Sequence, residues 1–286
     1  MSDLLQRLTA RAKGRTLAGG AVISGDPTAD HGGARVTATG PKGEAFAARF
    51  FDRAQLSPQA LTDLPRRAAF RNPSVPLVVA TGDEDGDPYF VEYAQAGIYL
   101  DQLIARARKD GQGAPAFFIL DPDEARGRTG NIPREPYWRA TCRIGIDLGK
   151  CLVEYRKAGL QPTELRPEWI WLRADGNPML RHLGLLGAPV TDPCAEVLAL
   201  GRLLHAMATL ESFQAEKLTP PRVLEPKINE AMETILLAAT ATSPTARYAH
   251  VGDLAQDLDL YMTHRPITAR RPGLFGRLLG GTARAR

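Results

Sequence analysis

Leu160-Gln-Pro-Thr-Glu-Leu-Arg-Pro-Glu-Trp-Ile-Trp-Leu-Arg-Ala-Asp-Gly-Asn-Pro-Met-Leu-Arg-His-Leu-Gly-Leu-Leu-Gly187 is the stretch on which the reading of this chain turns. A helical pattern runs into it from Trp138 to Gly159. Cys142, Ile144, Ile146, Leu148, Cys151, Leu152 and Tyr155 form a broad apolar stripe there, and Gly159 ends it. Around this stretch the chain has 286 residues, 44% hydrophobic and 24% charged, which suits one or two domains with a sizeable core. A net charge of +4 is only mildly basic and does not by itself imply nucleic acid. Cys142, Cys151 and Cys194 form no Cys-x-x-Cys pair, so neither a zinc pattern nor a disulfide framework is present, and a reducing compartment is the simplest reading. The start, Met1-Ser-Asp-Leu-Leu-Gln-Arg7, lacks the apolar core of a signal peptide, and no apolar run approaches the ~20 residues needed to cross a bilayer. A cytoplasmic location is expected.

Leu165-Arg-Pro-Glu-Trp-Ile-Trp-Leu172 resembles the end of a protein-kinase catalytic loop and the strand after it. That family reads His-Arg-Asp-Leu-Lys-Pro-Glu-Asn-Ile-Leu-Leu there. Asp175-Gly-Asn-Pro178 resembles the hairpin that follows, and Arg181-His-Leu-Gly184 falls where kinases carry Asp-Phe-Gly. The frame resembles that of a bacterial-type Ser/Thr protein kinase domain, but the residues that do the chemistry differ. In kinases a catalytic-loop Asp accepts the substrate proton, while an Asn and the Asp of Asp-Phe-Gly hold magnesium. The corresponding residues here are Pro162, Thr163 and Glu164 for the His-Arg-Asp triplet, Trp169 for the Asn and His182 for the metal-binding Asp. Magnesium is hard and wants oxygen ligands, so indole and imidazole replace them poorly. Glu164 alone keeps an acidic group. The chain therefore resembles a degenerate kinase, a pseudokinase. On the strand implied by the resemblance Trp169 and Trp171 alternate, and Trp169 is expected in the space where metal and phosphate would sit.

The resemblance extends from about residue 20 to 264. Short β runs at Ala21–Ile23, Ala34–Ala38 and Ala45–Phe51, with Lys42-Gly43 as a hairpin turn, resemble kinase strands one to three. Gly32 and Gly33 lie near the expected glycine-rich loop but out of register, and Ser24 to Asp30 adds two carboxylates that would repel a triphosphate. Arg49 stands in the place of the phosphate-binding lysine, and Asp63 falls where the helix Glu that pairs with it is expected. That helix is expected over 58–70, with Pro65 interrupting it. Leu77–Ala80 and Asp87–Tyr93 flank an Asp-Gly turn, a hairpin signal in its own right. By resemblance Val91 is the gatekeeper and Glu92-Tyr93-Ala94 the hinge, whose backbone contacts adenine in kinases. Arg49, Val91, Glu92 and Ala94 are thus the candidate nucleotide-binding residues.

Leu100, Leu103 and Ile104 mark a helix over 97–108, followed by a departure from the family at about 110–137. Phe117-Phe-Ile-Leu120 is too apolar there for a free linker and is expected to pack on the body, as an added strand or over the pseudo-active cleft, either as core augmentation or as a partner-binding element. After Gly184 the activation segment is almost absent, with Ala188-Pro-Val190 as its vestige. Glu196-Val-Leu-Ala-Leu-Gly201 resembles the central helix of the helical lobe, and Ser243-Pro-Thr-Ala-Arg-Tyr248 resembles a late kinase motif. The Arg of that motif, Arg247, normally pairs with a Glu that is missing, leaving Asp192 or Glu196 as its partner. The tail from His264 holds six arginines and no acid, together with Leu274, Phe275, Leu278 and Leu279. That composition suits an anionic membrane surface or an acidic partner.

The expected fold is α+β and bilobal, protein-kinase-like, with a shortened activation segment. Residues 1–19 are an extension, 20–95 a β-rich N-lobe, 96–264 a helical C-lobe and 265–286 a basic tail. The expected function is that of an inactive scaffold or regulator binding another protein, with no cofactor, no metal and no nucleic acid. Two other readings stay open: a divergent transferase using Glu164 and Arg49, and a nucleotide sensor binding adenine at the hinge.

Overall fold

Ala34, Val36 and Ala38 alternate with Arg35 and Thr37, and in the computed structural model the three apolar side chains are buried on one face of strand β3, Gly33–Thr39. The structure describes residues 3–9, 13–109, 137–182, 185–213 and 219–270. The chain divides into two compact units: Met1–Ala96 with Met179–Ala188, and Gly97–Pro178 with Pro189–Arg286.

The first unit is built on a six-stranded antiparallel sheet. Its strands besides β3 are β1 (Val22–Ile23), β2 (Thr28–Asp30), β4 (Ala45–Phe51), β5 (Val78–Glu84) and β6 (Asp87–Tyr93). They run in the order β1-β3-β4-β6-β5, and β2 pairs β3 beside that path. The two expected hairpins form. Gly40 and Glu44 close the turn at Lys42-Gly43, and Asp85-Gly86 connects β5 to β6 with positive φ at both residues. That backbone matches the right-handed twist of paired strands, and an Asp-Gly pair adopts it at little cost. One sheet face carries Ala34, Val36, Ala38, Phe46, Ala48, Phe50, Tyr89 and Val91. Helix α1 (Asp3–Thr9) lays Leu4, Leu5 and Leu8 on that face. A pair from Arg7 to Asp87, at 2.6 Å, holds the helix to the start of β6. The helix expected over 58–70 is two short ones, α2 (Pro58–Thr62) and α3 (Leu64–Ala69), broken where Pro65 lacks an N–H.

The second unit is helical. Strand β7 (Gly97–Tyr99) leads into α4 (Leu100–Lys109), and α5 (Tyr137–Lys157) is the long helix that the apolar stripe predicts. Helix α6 (Pro193–Thr209) starts at an Asp192 cap and is followed by α7 (Pro221–Leu224), α8 (Glu230–Ala239) and α9 (Val251–Met262). Gly145 and Gly149 sit one turn apart on α5. A Cβ at Gly145 would come within 3 Å of Leu204 and Leu258, and one at Gly149 within 3 Å of Ala255, so these glycines let α6 and α9 approach closely. Strand β8 (Ile170–Arg173) pairs antiparallel with β7, and its hairpin turn closes through Asp175-Gly176. Strand β9 (Pro178–Leu180) then crosses from the second unit into the first. Among the described residues no helix is long and apolar enough to cross a membrane. The insertion at 110–136 and the tail beyond 270 lie outside the described residues.

Candidate functional site

The parity of two strands decides the chemistry of the first unit. Arg49 on β4 lies opposite Phe90, and Glu92 on β6 lies opposite Ala47, so both side chains occupy the sheet face away from the apolar core. Val91, the expected gatekeeper, points the other way: it pairs with Ala48 and is buried with Val36 and Phe50. Glu92 and Tyr93, expected in the hinge, are still within β6. Ala94 follows the strand, and its N–H is taken by the carbonyl of Ala45. Of the four candidate nucleotide-binding residues, Arg49 and Glu92 come together as an ion pair. Val91 is turned into the core, because a one-residue shift in a strand exchanges its faces.

Arg49 is fully buried, and Glu92 and Arg181 are each 1% exposed. The Arg49 guanidinium pairs with the carboxylate of Asp30, and its Nη2 lies 3.4 Å from Glu92 Oε1. Arg181, entering the unit after β9, places its own Nη2 3.0 Å from the same Glu92 oxygen. Two carboxylates and two guanidiniums therefore meet in a buried cluster. Sequence reasoning placed Asp30 in an inserted loop and did not see its role. The insertion is β2, which folds back on β3 through His31-Gly32 and delivers Asp30 to Arg49. Gly32 has a φ of +78°, and a Cβ there would collide with Leu186, so the turn demands glycine. Asp63 takes no part. Its carboxylate is held by Gln59, Arg66 and Arg67, which corrects the expected Arg49–Asp63 pair.

His182 is 3% exposed, and neither of its ring nitrogens has a hydrogen-bond partner among the described residues. Its ring meets Phe51 edge to face, at 6.1 Å between centroids. Burial pushes the imidazole pKa well below its ordinary value, and the charges of Arg49, Arg181 and His31 push it further the same way. Leu183 and Gly184, which complete the Asp-Phe-Gly-like stretch, lie outside the described residues. A magnesium ion is a poor fit to these side chains. It would meet two guanidiniums and an imidazole, and the two carboxylates present are already held by those guanidiniums. No group of three His, Cys, Asp or Glu among the described residues is placed to hold a metal.

In the second unit Glu164 is half-exposed and accepts from Arg166 Nε at 3.1 Å and Nη2 at 2.9 Å. Trp169 departs from the expectation that it lies on the strand. It ends a 3-10 turn, Pro167–Trp169, and the Arg166 guanidinium stacks on its ring at 4.9 Å. Pro167 favours that turn by fixing its own φ. Trp171 is the inward one, buried edge to face against Tyr99 at 4.8 Å. Pro162 and Thr163 are bound to Pro189-Val190, the stretch expected to be the activation-segment vestige, since Val190 N–H donates to Pro162 O and Thr163 bridges to Pro189. Arg247 pairs with neither Asp192 nor Glu196. It donates to the carbonyls of Cys194, Ala241 and Thr242. Glu196 is instead bonded by Arg156 at 2.8 Å, and burial raises its pKa against the pull of that arginine.

No protein-family model and no curated protein matches this chain. Solved structures do. The PknI kinase domain of Mycobacterium tuberculosis superposes with a TM-score of 0.63 at 18% identity, covering 87% of this chain and 98% of that one. A structure described as the apo form of PpkA-294 gives 0.63 at 14% identity, covering 87% and 99%. At such identity the likeness bears on the fold alone. A β-sheet unit, a helical unit and a shortened connection after His182 thus make up a bilobal α+β, bacterial Ser/Thr protein-kinase-like fold.

Proposed function

We propose that this chain is a catalytically inactive kinase-like domain that works as a scaffold or regulator by binding another protein. One observation carries the reading: the cation in the lysine's place, Arg49, is buried and neutralised by the chain's own Asp30 and Glu92. Catalysis of phosphoryl transfer is mainly positioning and charge stabilisation, and a guanidinium so engaged has no charge to spare for a phosphate. Trp169 and His182, at the two magnesium-holding positions, add no oxygen ligand, and Glu164 is tied to Arg166. The purified protein, given labelled ATP, magnesium or manganese and a general protein substrate, is expected to incorporate no label above background. Incorporation that disappears in a Glu164→Ala variant overturns the reading in favour of a transferase. A melting temperature raised by ATP would favour a nucleotide sensor instead.

The arginine-rich tail supplies a second contact in this reading, to an anionic membrane surface or an acidic partner. Removing residues 272–286 is expected to leave the fold intact and to weaken binding to anionic vesicles, read by co-sedimentation. Binding by the intact chain should fall with salt, because exposed charges are screened over ~8 Å at physiological ionic strength. Salt-insensitive binding, or none, would remove the tail from the proposal.

A further inference from the structure

Asp257 is fully buried on α9, and an exposed threonine completes its hydrogen bonds from outside. Thr268 donates its hydroxyl and its N–H to Asp257 Oδ1, both at 2.8 Å, and Ala269 N–H donates to Oδ2 at 2.7 Å. We propose that Thr268 is a phosphorylation site for an arginine-directed Ser/Thr protein kinase, and that its phosphate releases the 265–270 segment from α9. This goes beyond the loss of catalysis and does not depend on it.

The sequence around Thr268 fits such an enzyme. It reads Arg265-Pro-Ile-Thr-Ala-Arg-Arg271, with cations three residues before the hydroxyl and two and three after it, and no acid. A substrate groove lined by carboxylates complements that charge pattern. Arg265 pairs with Asp259 at 3.3 Å, but both side chains are more than half exposed, so the pair holds it weakly. The backbone suits a groove as well. His264 turns the chain after α9 with a φ of +56°, and 265–270 then runs without helix or strand. Pro266 keeps the residue before it extended. A segment outside helix and strand opens locally more readily than one inside them.

The step itself balances. Thr268 Oγ1 attacks the γ-phosphorus of ATP. A new O–P bond forms, the bond from that phosphorus to the β–γ bridging oxygen breaks, ADP leaves with the electron pair, and the hydroxyl proton passes to the kinase's base. Attack requires the hydroxyl to be off Asp257, so the enzyme takes the lifted segment and the phosphate then keeps it from returning. The donor that faced Oδ1 is gone, and a group of about −1.5 to −2 charge at pH 7 would stand against a buried carboxylate. Turning the carboxylate brings no relief, because Oδ2 is already held by Tyr248 Oη at 2.9 Å and by Ala269 N–H. The same phosphate offsets part of the charge of the six arginines from Arg265 onward.

The full chain is incubated with ATP, magnesium and a protein kinase selective for arginine at the third residue before the acceptor, beside a synthetic peptide of residues 262–275. Mass spectrometry locates the phosphate, and hydrogen exchange by NMR follows the Thr268 and Ala269 amides, with α8 amides as reference. The expected result is phosphate on Thr268 and exchange of both amides faster by about a hundredfold, the effect of losing two hydrogen bonds to a charged acceptor, with α8 unchanged. Thr268→Glu should lose the same protection. Thr268→Val, which removes the hydroxyl but adds no charge, should keep most of it. A kinase that modifies the peptide but not the full chain shows that the hydroxyl stays on Asp257, and one that modifies neither shows that the sequence is no substrate; both results overturn the proposal. So does phosphate on Thr268 with both amides still protected, or an equal loss across α8. Thr268→Val losing protection as fully as the phosphorylated chain would leave the hydroxyl a structural donor only.

Discussion

Arg49→Met is expected to destabilise the first unit by about 3–5 kcal/mol, the usual cost of leaving buried charge unpaired. The guanidinium is fully buried between Asp30 and Glu92, and a methionine replaces its aliphatic stem without meeting either carboxylate. Desolvating a carboxylate costs several kcal/mol, and only a well-placed cation repays it. Arg181 still reaches Glu92, so the loss falls mainly on Asp30. Adding Asp30→Asn to Arg49→Met removes that charge and leaves the Glu92–Arg181 pair in balance, so the double variant should recover most of the loss. All three tryptophans, Trp138, Trp169 and Trp171, lie in the second unit, so their fluorescence would report the wrong transition. Hydrogen-exchange protection of β4 and β6 amides measures the right one. A loss below about 1 kcal/mol, the range of surface ion pairs, would show that the cluster does not hold the unit.

In the second unit the largest single effect is expected at Asp257. This carboxylate is fully buried on α9 and accepts four hydrogen bonds: from Tyr248 Oη at 2.9 Å, Thr268 N and Oγ1 at 2.8 Å, and Ala269 N at 2.7 Å. It ties the residues after the last helix back to the body of the unit. Burial and the nearby carboxylate together raise the pKa of Tyr248, so that hydroxyl stays a donor at every ordinary pH. Hydrogen bonds to a charged group are each worth roughly 1.5–3 kcal/mol, and orphaned donors add their desolvation cost. Asp257→Ala should therefore cost about 3 kcal/mol or more and lower the melting temperature by roughly 6–12 °C. Tryptophan fluorescence suits this measurement, because Trp138 packs edge to face on Tyr261 of α9. A shift within about 1 °C would mean that water replaces the carboxylate at little cost.

Turn chemistry made much of the fold legible in advance. Lys42-Gly43, Asp85-Gly86 and Asp175-Gly176 are local signals, and each forms its hairpin because the required backbone depends on the residues in the turn and little else. The long stripe ending at Gly159 became α5 for the same kind of reason: side chains three and four apart meet whatever lies around them. The break at Pro65 was also visible, since a missing N–H is a property of one residue. The candidate site was less legible. Strands β4 and β6 are buried on both faces, so no alternation of apolar and polar residues reveals which side Arg49, Val91 and Glu92 share.

Local sequence thus determined where this chain turns and where its helices run. Tertiary structure alone decided the charge partners. Arg49 found Asp30 from a hairpin nineteen positions away and not Asp63, Arg247 found carbonyls and not Asp192 or Glu196, and His182 came to lie beside two arginines. The reason is one of range. A turn or a helical stripe is settled by neighbours within a few residues, whereas a buried charge must be met by whatever opposite charge the packed chain brings within about 4 Å, and that depends on strand parity and on how far an insertion folds back.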